Sequence, residues 1–222
     1  MTTVETPVVL SAGQRLQQGV RAYLPAASDP SGPSAHSLAQ ACDTYLGGGA
    51  QATPYPADMP ADKAREITRN LQELASGAQA DFASKVPGGT LSVGQLLSSV
   101  GQLQAAKESE VEELSARRSE LKGAYRKQVV KTVAWMGATA GALVLGGIFP
   151  NPVTGLLLAG AGAMTVRHIS KARTAQKELQ QTLPPVEANL KAARQLAADC
   201  VFYAPHLAGW NDLLGGAQRQ AA

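Results

Sequence analysis

Residue types able to do covalent chemistry are present in this chain, but their spacing assembles no reaction centre. The three histidines, His36, His168 and His206, are far apart and share no metal-ligand interval with Cys42 or Cys200. No G-x-S-x-G elbow occurs, and the glycine-rich piece VPGGTLSV lacks the G-K-[ST] ending of a phosphate-cradling loop. Glu108, Glu110, Glu112 and Glu113 crowd one stretch, yet they interleave with Lys107, Arg117 and Arg118, the pattern of ion pairs on a solvated helix face. Two cysteines define no disulfide framework and predict free thiols. The expectation is a protein that is not an enzyme, with no cofactor, no metal and no small-molecule substrate.

The chemistry the residues do offer is partition into lipid. From Thr132 to Val166 no residue carries a charge, and Pro150-Asn151-Pro152 interrupt the run near its middle. Proline lacks the amide donor and clashes with the preceding turn, so the run predicts two antiparallel helices joined at a tight turn. The residues expected to enter lipid are Val133, Trp135, Met136, Leu143, Val144, Leu145, Ile148 and Phe149 on the first arm. On the second they are Val153, Leu156, Leu157, Leu158, Met164 and Val166. A helix apolar around its circumference belongs in a large core or in a membrane, and a chain of 222 residues with so much polar helix has little core to offer.

The arms fall short of ideal spans. A hydrocarbon core of about 30 Å asks for about 20 apolar residues, against roughly 18 and 14 here. At about −0.3 to −0.6 kcal/mol per strong inserter, each arm gains only ~2–3 kcal/mol. That predicts conditional entry from a waiting soluble state. Gly137 and Gly141 form a GxxxG pair, and Gly155, Ala159 and Ala163 continue small-residue spacing on the second arm, faces that let helices pack closely in lipid. Any lumen in the hairpin would be lined by Thr132, Thr139, Asn151 and Thr154.

Cations flank the run on both sides. No acidic residue lies between Glu120 and Glu178, and the interval holds Lys122, Arg126, Lys127 and Lys131 before the hairpin and Arg167, Lys171, Arg173 and Lys177 after it, with Arg126, Lys127, Lys131, Arg167, Lys171 and Arg173 expected to bind headgroups. Folding brings both groups to the end opposite the turn, a collar for anionic headgroups at about 1 kcal/mol per residue. The collar keeps both flanks on one side while the turn crosses. It lacks the interleaved aromatics of a nucleic-acid surface. His168 reads first as a surface histidine beside Arg167; as a second reading, its protonation below about pH 6.5 adds charge to the collar.

Polar flanks must carry the hairpin. Ile67, Leu71, Leu74 and Phe82 stripe one helix between PADMP and Pro87-Gly88-Gly89. A second stripe through Val93, Leu97, Val100, Leu103, Val111, Leu114, Leu121 and Tyr125 runs without a breaker into the first arm. Ile169, Leu179, Leu183, Val186, Leu190 and Ala197 form the return, broken or kinked at Pro184-Pro185. The expected fold is all-α, an elongated bundle of long antiparallel helices with a central hydrophobic hairpin. Its parts are a loop-rich segment with short helices over 1–60, bundle helices over 61–131, the hairpin over 132–166 and return helices over 167–222. Residues 1–60 would cap the bundle or shield the tip, and Trp210 with Phe202 and Tyr203 would fill a seam. The N-terminus MTTVETPVVLSAGQRL has neither a basic start nor a long apolar stretch, so no signal peptide is expected.

Long helices interrupted near the middle by TVAWMGATAGALVLGGIFPNPVTGLLLAGAGAMTV resemble the cytolysin A-type α-helical pore-forming toxins. The resemblance runs from about Leu91 to Leu214 and ends in PHLAGWNDLLGG, with Trp210, Leu213 and Leu214 spaced like a closing helix. It implies a soluble monomer that keeps its hairpin folded away, then releases it into a target membrane and assembles with further copies or with a second component. It also implies export by a route other than a signal peptide, such as a secretion system. The alternative is a resident inner-membrane protein spanning twice, and a third reading is a helical adaptor that buries the hairpin against a partner.

Overall fold

The computed structural model describes residues 10–29, 31–49, 52–148 and 152–221, with side-chain surroundings left out at 145–155, 157, 218 and 220–221. The protein is all-α: α1 Ala12–Val20, α2 Ala35–Leu46, α3 Ala61–Lys85, α4 Val93–Ile148 and α5 Pro152–Ala221. Starts follow local chemistry. Ser11 and Gln14 form a reciprocal capping box on α1, and Ser34 caps α2. Ser92 and Gln95 repeat the box at α4, the Gln95 amide donating to Ser92 Oγ and the Ser92 amide to Gln95 Oε1. An antiparallel bridge joins the starts of α2 and α4, through Ala35 N–H to Leu91 O at 2.8 Å and Val93 N–H to Pro33 O at 2.8 Å. After α3, Gly88 takes φ 72°, a left-handed turn that favours glycine.

The chain forms two compact units, one of Met1–Ser109 with Ala193–Ala222, the other of Glu110–Ala192. In the first, α1 and α2 pack on α3. Leu16, Val20, Leu38, Leu71, Leu74, Phe82, Leu96 and Leu103 meet Cys200, Tyr203, Leu207 and Trp210 in one core. The expected Trp210 seam role holds: it is buried, donates to Tyr55 Oη at 3.1 Å and meets Tyr45 and Tyr55 edge to face. Phe202, by contrast, is exposed. Polar groups inside this core are matched. Asn70 accepts from the Gly13 amide at 3.1 Å and donates to Tyr203 Oη at 2.7 Å, tying α1, α3 and α5 together.

The second unit is the antiparallel pairing of the α4 segment after Ser109 with the α5 segment up to Ala192. Val186 and Leu190 are buried there, and Glu187 accepts from Arg118 Nε at 2.8 Å and Lys122 Nζ at 3.1 Å. The expected break at Pro184-Pro185 does not occur: α5 is one helix through both prolines. The carbonyls that lose a donor belong to Gln180 and Gln181, which are exposed like the prolines themselves. Burial of Val186 and Leu190 one turn later holds the helix in place.

Candidate membrane-inserting hairpin

Inside the hairpin the two arms face each other through polar side chains. Thr132 is buried, and its hydroxyl lies 2.9 Å from Gln128 O on its own helix and 3.2 Å from His168 O across the seam. Two turns on, Thr139 and Thr165 bring their hydroxyls to 2.5 Å. Thr139 Oγ1 also lies 3.2 Å from Ala161 O, and Thr165 Oγ1 3.1 Å from Trp135 O, each reaching the opposite helix. Between these levels the Trp135 and His168 rings stack at 5.9 Å with a 12° interplanar angle. Gln128 Nε2 sits 3.5 Å from His168 Nδ1.

Six large apolar side chains lie outside this seam. Val133, Met136, Leu143, Val144, Leu156 and Val166 are each more than half exposed. Trp135, Leu158 and Met164 are half-buried. Leu145, Ile148, Phe149, Val153 and Leu157, expected to enter lipid, and the turn residues Pro150 and Asn151, have no described side-chain surroundings; Pro152 opens α5. The hydroxyls of Thr132, Thr139 and Thr165 thus sit in the seam, with Trp135, Leu158 and Met164 half-buried, while six large apolar side chains stand more than half exposed. Among the described residues, no helix is long and apolar enough to cross a membrane.

Thr132 and Thr139 are not free to line a lumen while the arms are paired, because both are committed to the seam; Asn151 lies outside the described residues, and the side-chain surroundings of Thr154 are not described. The seam was the missed feature. Thr132 and Thr139, seven residues apart, share one helix face, but that spacing alone does not set the register that brings Thr139 to Thr165.

Gly137 and Gly141 meet nothing: a methyl added at either would find no neighbour within 4 Å. Ala159 and Ala163 are exposed, and the surroundings of Gly155 are not described. The small faces thus do not pack the two arms together. The collar residues Arg126, Lys127, Lys131, Arg167, Lys171 and Arg173 are all exposed, and among the described residues none of the six is in an ion pair. Arg118 turns away from the neighbouring glutamates of α4 to meet Glu187.

Burial pushes the Cys42 thiol up to about 12 and, with Asp199 nearby, the Cys200 thiol up to about 11. Burial and then Lys63 hold His206 below its ordinary value. Among the described residues no group of three or more His, Cys, Asp or Glu is placed to hold a metal. No protein-family model, no curated protein and no solved structure matches this chain.

Proposed function

We propose that this protein inserts its 132–166 hairpin into a target bilayer and acts there as an assembling, pore-forming toxin or delivered effector. The observation that carries the reading is the pairing of the arms through threonine hydroxyls, with large aliphatic side chains exposed around the paired arms. Threonine hydroxyls bridge them inside while Val133, Leu143, Val144, Leu156 and Val166 point outward. Interhelical hydroxyl contacts of this kind are the glue of helices in lipid, where hydrocarbon outside imposes no penalty. In water the same arrangement leaves an apolar surface uncovered.

The collar supplies anionic headgroup contact beside the hairpin, and the partner of the hairpin is a lipid membrane. Gly137 and Gly141, unpacked within one chain, are left for another copy or a second component. Thr132 and Thr139 stay inside each hairpin, so a lumen would form between hairpins. The protein would reach its target membrane by export from the producing cell.

Expression without detergent, fractionation and a vesicle dye-release assay test this. Protein recovered from the soluble fraction that releases dye supports the proposal. Strict partition to the membrane of its own host points to a resident two-span protein, and soluble protein that neither binds nor permeabilises vesicles refutes membrane insertion.

A further inference from the structure

On α4, the stretch leading into the collar, Arg126 included, carries an open groove of about 450 Å³ lined by Ser115, Arg118, Ser119, Lys122, Gly123 and Arg126. Its three cations stand four residues apart, so successive ones lie about 6 Å further along the helix. Gly123 leaves the floor open, with nothing within 4 Å of where a Cβ would be. All six lining residues belong to one face of α4, so the groove is open to solvent. A solvated basic face explains the charges but not the gap at Gly123.

Charge and donor geometry select the ligand. Glu187 takes Arg118 Nε at 2.8 Å and Lys122 Nζ at 3.1 Å on the same oxygen, Oε1. These two hydrogen bonds, Lys122 first, hold its carboxyl below the ordinary value, so it offsets one of the three positive charges. Two remain. Arg126 is exposed and unpaired among the described residues, the terminal nitrogens of Arg118 lie beyond its Nε contact, and Ser119 makes no hydrogen bond through its hydroxyl among the described residues. Arginine forks and a hydroxyl suit tetrahedral phosphate oxygens. A residual charge of two matches a phosphate monoester, which carries about −1.5 to −2 near pH 7, better than a singly charged diester.

We infer that the Arg118–Lys122–Arg126 groove binds a phosphate monoester, as a lipid headgroup or as a soluble phosphate ester. In the lipid case the inference rests on the membrane reading and names its headgroup: Arg126 lies six residues before Thr132, about 9 Å along the helix from the first apolar arm.

The test compares binding to vesicles bearing phosphatidic acid, a monoester, with vesicles bearing phosphatidylglycerol, a diester, at matched zeta potential. Glycerol 3-phosphate is titrated calorimetrically in parallel. A preference of about tenfold for the monoester vesicles, lost in Arg118→Gln/Arg126→Gln while diester binding persists, establishes the lipid headgroup. Saturable binding of glycerol 3-phosphate without vesicle preference establishes the soluble ester. Glu187→Gln removes the competing carboxylate, and monoester binding then tightens severalfold. All three substituted side chains are at least partly exposed, and circular dichroism confirms the fold of each variant. Equal binding to both vesicle types together with no uptake of glycerol 3-phosphate overturns the inference. Dye release from the phosphatidylglycerol vesicles in that same experiment would leave the hairpin proposal standing.

Discussion

Replacing Leu143 by lysine separates a membrane role from a structural one. Leu143 is 56% exposed, so in water the change belongs with surface substitutions, usually within about ±0.5 kcal/mol of neutral. In lipid the position is far less forgiving. Leu143 lies eleven residues beyond Thr132, about 16 Å along a helix rising 1.5 Å per residue, near the midplane of a core about 30 Å thick. Leucine there contributes about −0.3 to −0.6 kcal/mol, and lysine opposes insertion by about 2.5–3.5. The difference of about 3 kcal/mol outweighs the ~2–3 kcal/mol that the whole arm gains. At about 1.4 kcal/mol per factor of ten, dye release should fall on the order of a hundredfold. Release from anionic vesicles is followed by dequenching across a protein titration, with thermal melting by circular dichroism alongside. Leu143→Ser controls for loss of the aliphatic group without a charge and should fall between the two. Dye release by the lysine variant within about threefold of wild type, at an unchanged melting temperature, refutes the insertion of this arm, because the expected penalty exceeds that by over 1 kcal/mol.

The isosteric pair Thr139→Val/Thr165→Val removes two hydroxyl protons and so at most two cross-helix bonds, at about 0.6 kcal/mol each in a membrane. Amide exchange of the arms in vesicles should rise by nearly tenfold, and unchanged protection would discount the threonine seam. Gly13→Ala places a methyl 2.4 Å from the Asn70 carbonyl oxygen, an overpacking of about 1–3 kcal/mol in the first unit. Its melting temperature should drop by several degrees with vesicle binding intact; a melting temperature equal to wild type counts against this close approach. Cys42 and Cys200 should resist iodoacetamide at pH 8 until the protein is denatured, since burial disfavours both thiolates. Because the folded value of Cys42 is raised from 9.0 to about 12, its contribution to stability is complete below pH 9 and is lost as pH climbs toward 12. A Cys42→Ala variant with the same alkaline unfolding curve as wild type would remove that contribution.

Helix boundaries were the most legible part of the sequence, because punctuation and stripe agreed. PADMP and Pro87-Gly88-Gly89 bracket α3 as expected, and α4 runs from Val93 without interruption into the apolar arm. Pro184-Pro185 misled because a local rule met tertiary burial: both prolines face water, while Val186 and Leu190 anchor the next turn. Of the candidate site, the outward aliphatics and the collar could be read from charge and hydropathy alone. The seam could not. Thr132, Thr139 and Thr165 look like dilution of an apolar run until the antiparallel register sets Thr139 against Thr165. Register is a property of the pair of helices, and neither arm's own sequence encodes it. The glycine spacing was visible, but only the open space around Gly137 and Gly141 shows that it serves no contact between the arms.

The two halves of the membrane reading carry comparable weight, and this constrains how the protein would work. Hydropathy gives the two arms together roughly 5 kcal/mol before glycine and threonine subtract from it. Six collar cations at about 1 kcal/mol each give a similar sum on an anionic surface. Neither suffices by wide margin: the arms are short for a span, and collar attraction is screened within a Debye length of about 8 Å at physiological ionic strength. A hairpin held by such a sum enters where anionic lipid is dense and leaves where it is not, unless helix contacts in the membrane add to it. The seam has already used the hydroxyls of Thr132, Thr139 and Thr165 within one chain. What remains for contacts between chains is the small-residue surface around Gly137 and Gly141, where backbones can approach without displacing any side chain of their own. Commitment to the bilayer would then be a property of the assembly, with the single hairpin binding reversibly and the oligomer staying.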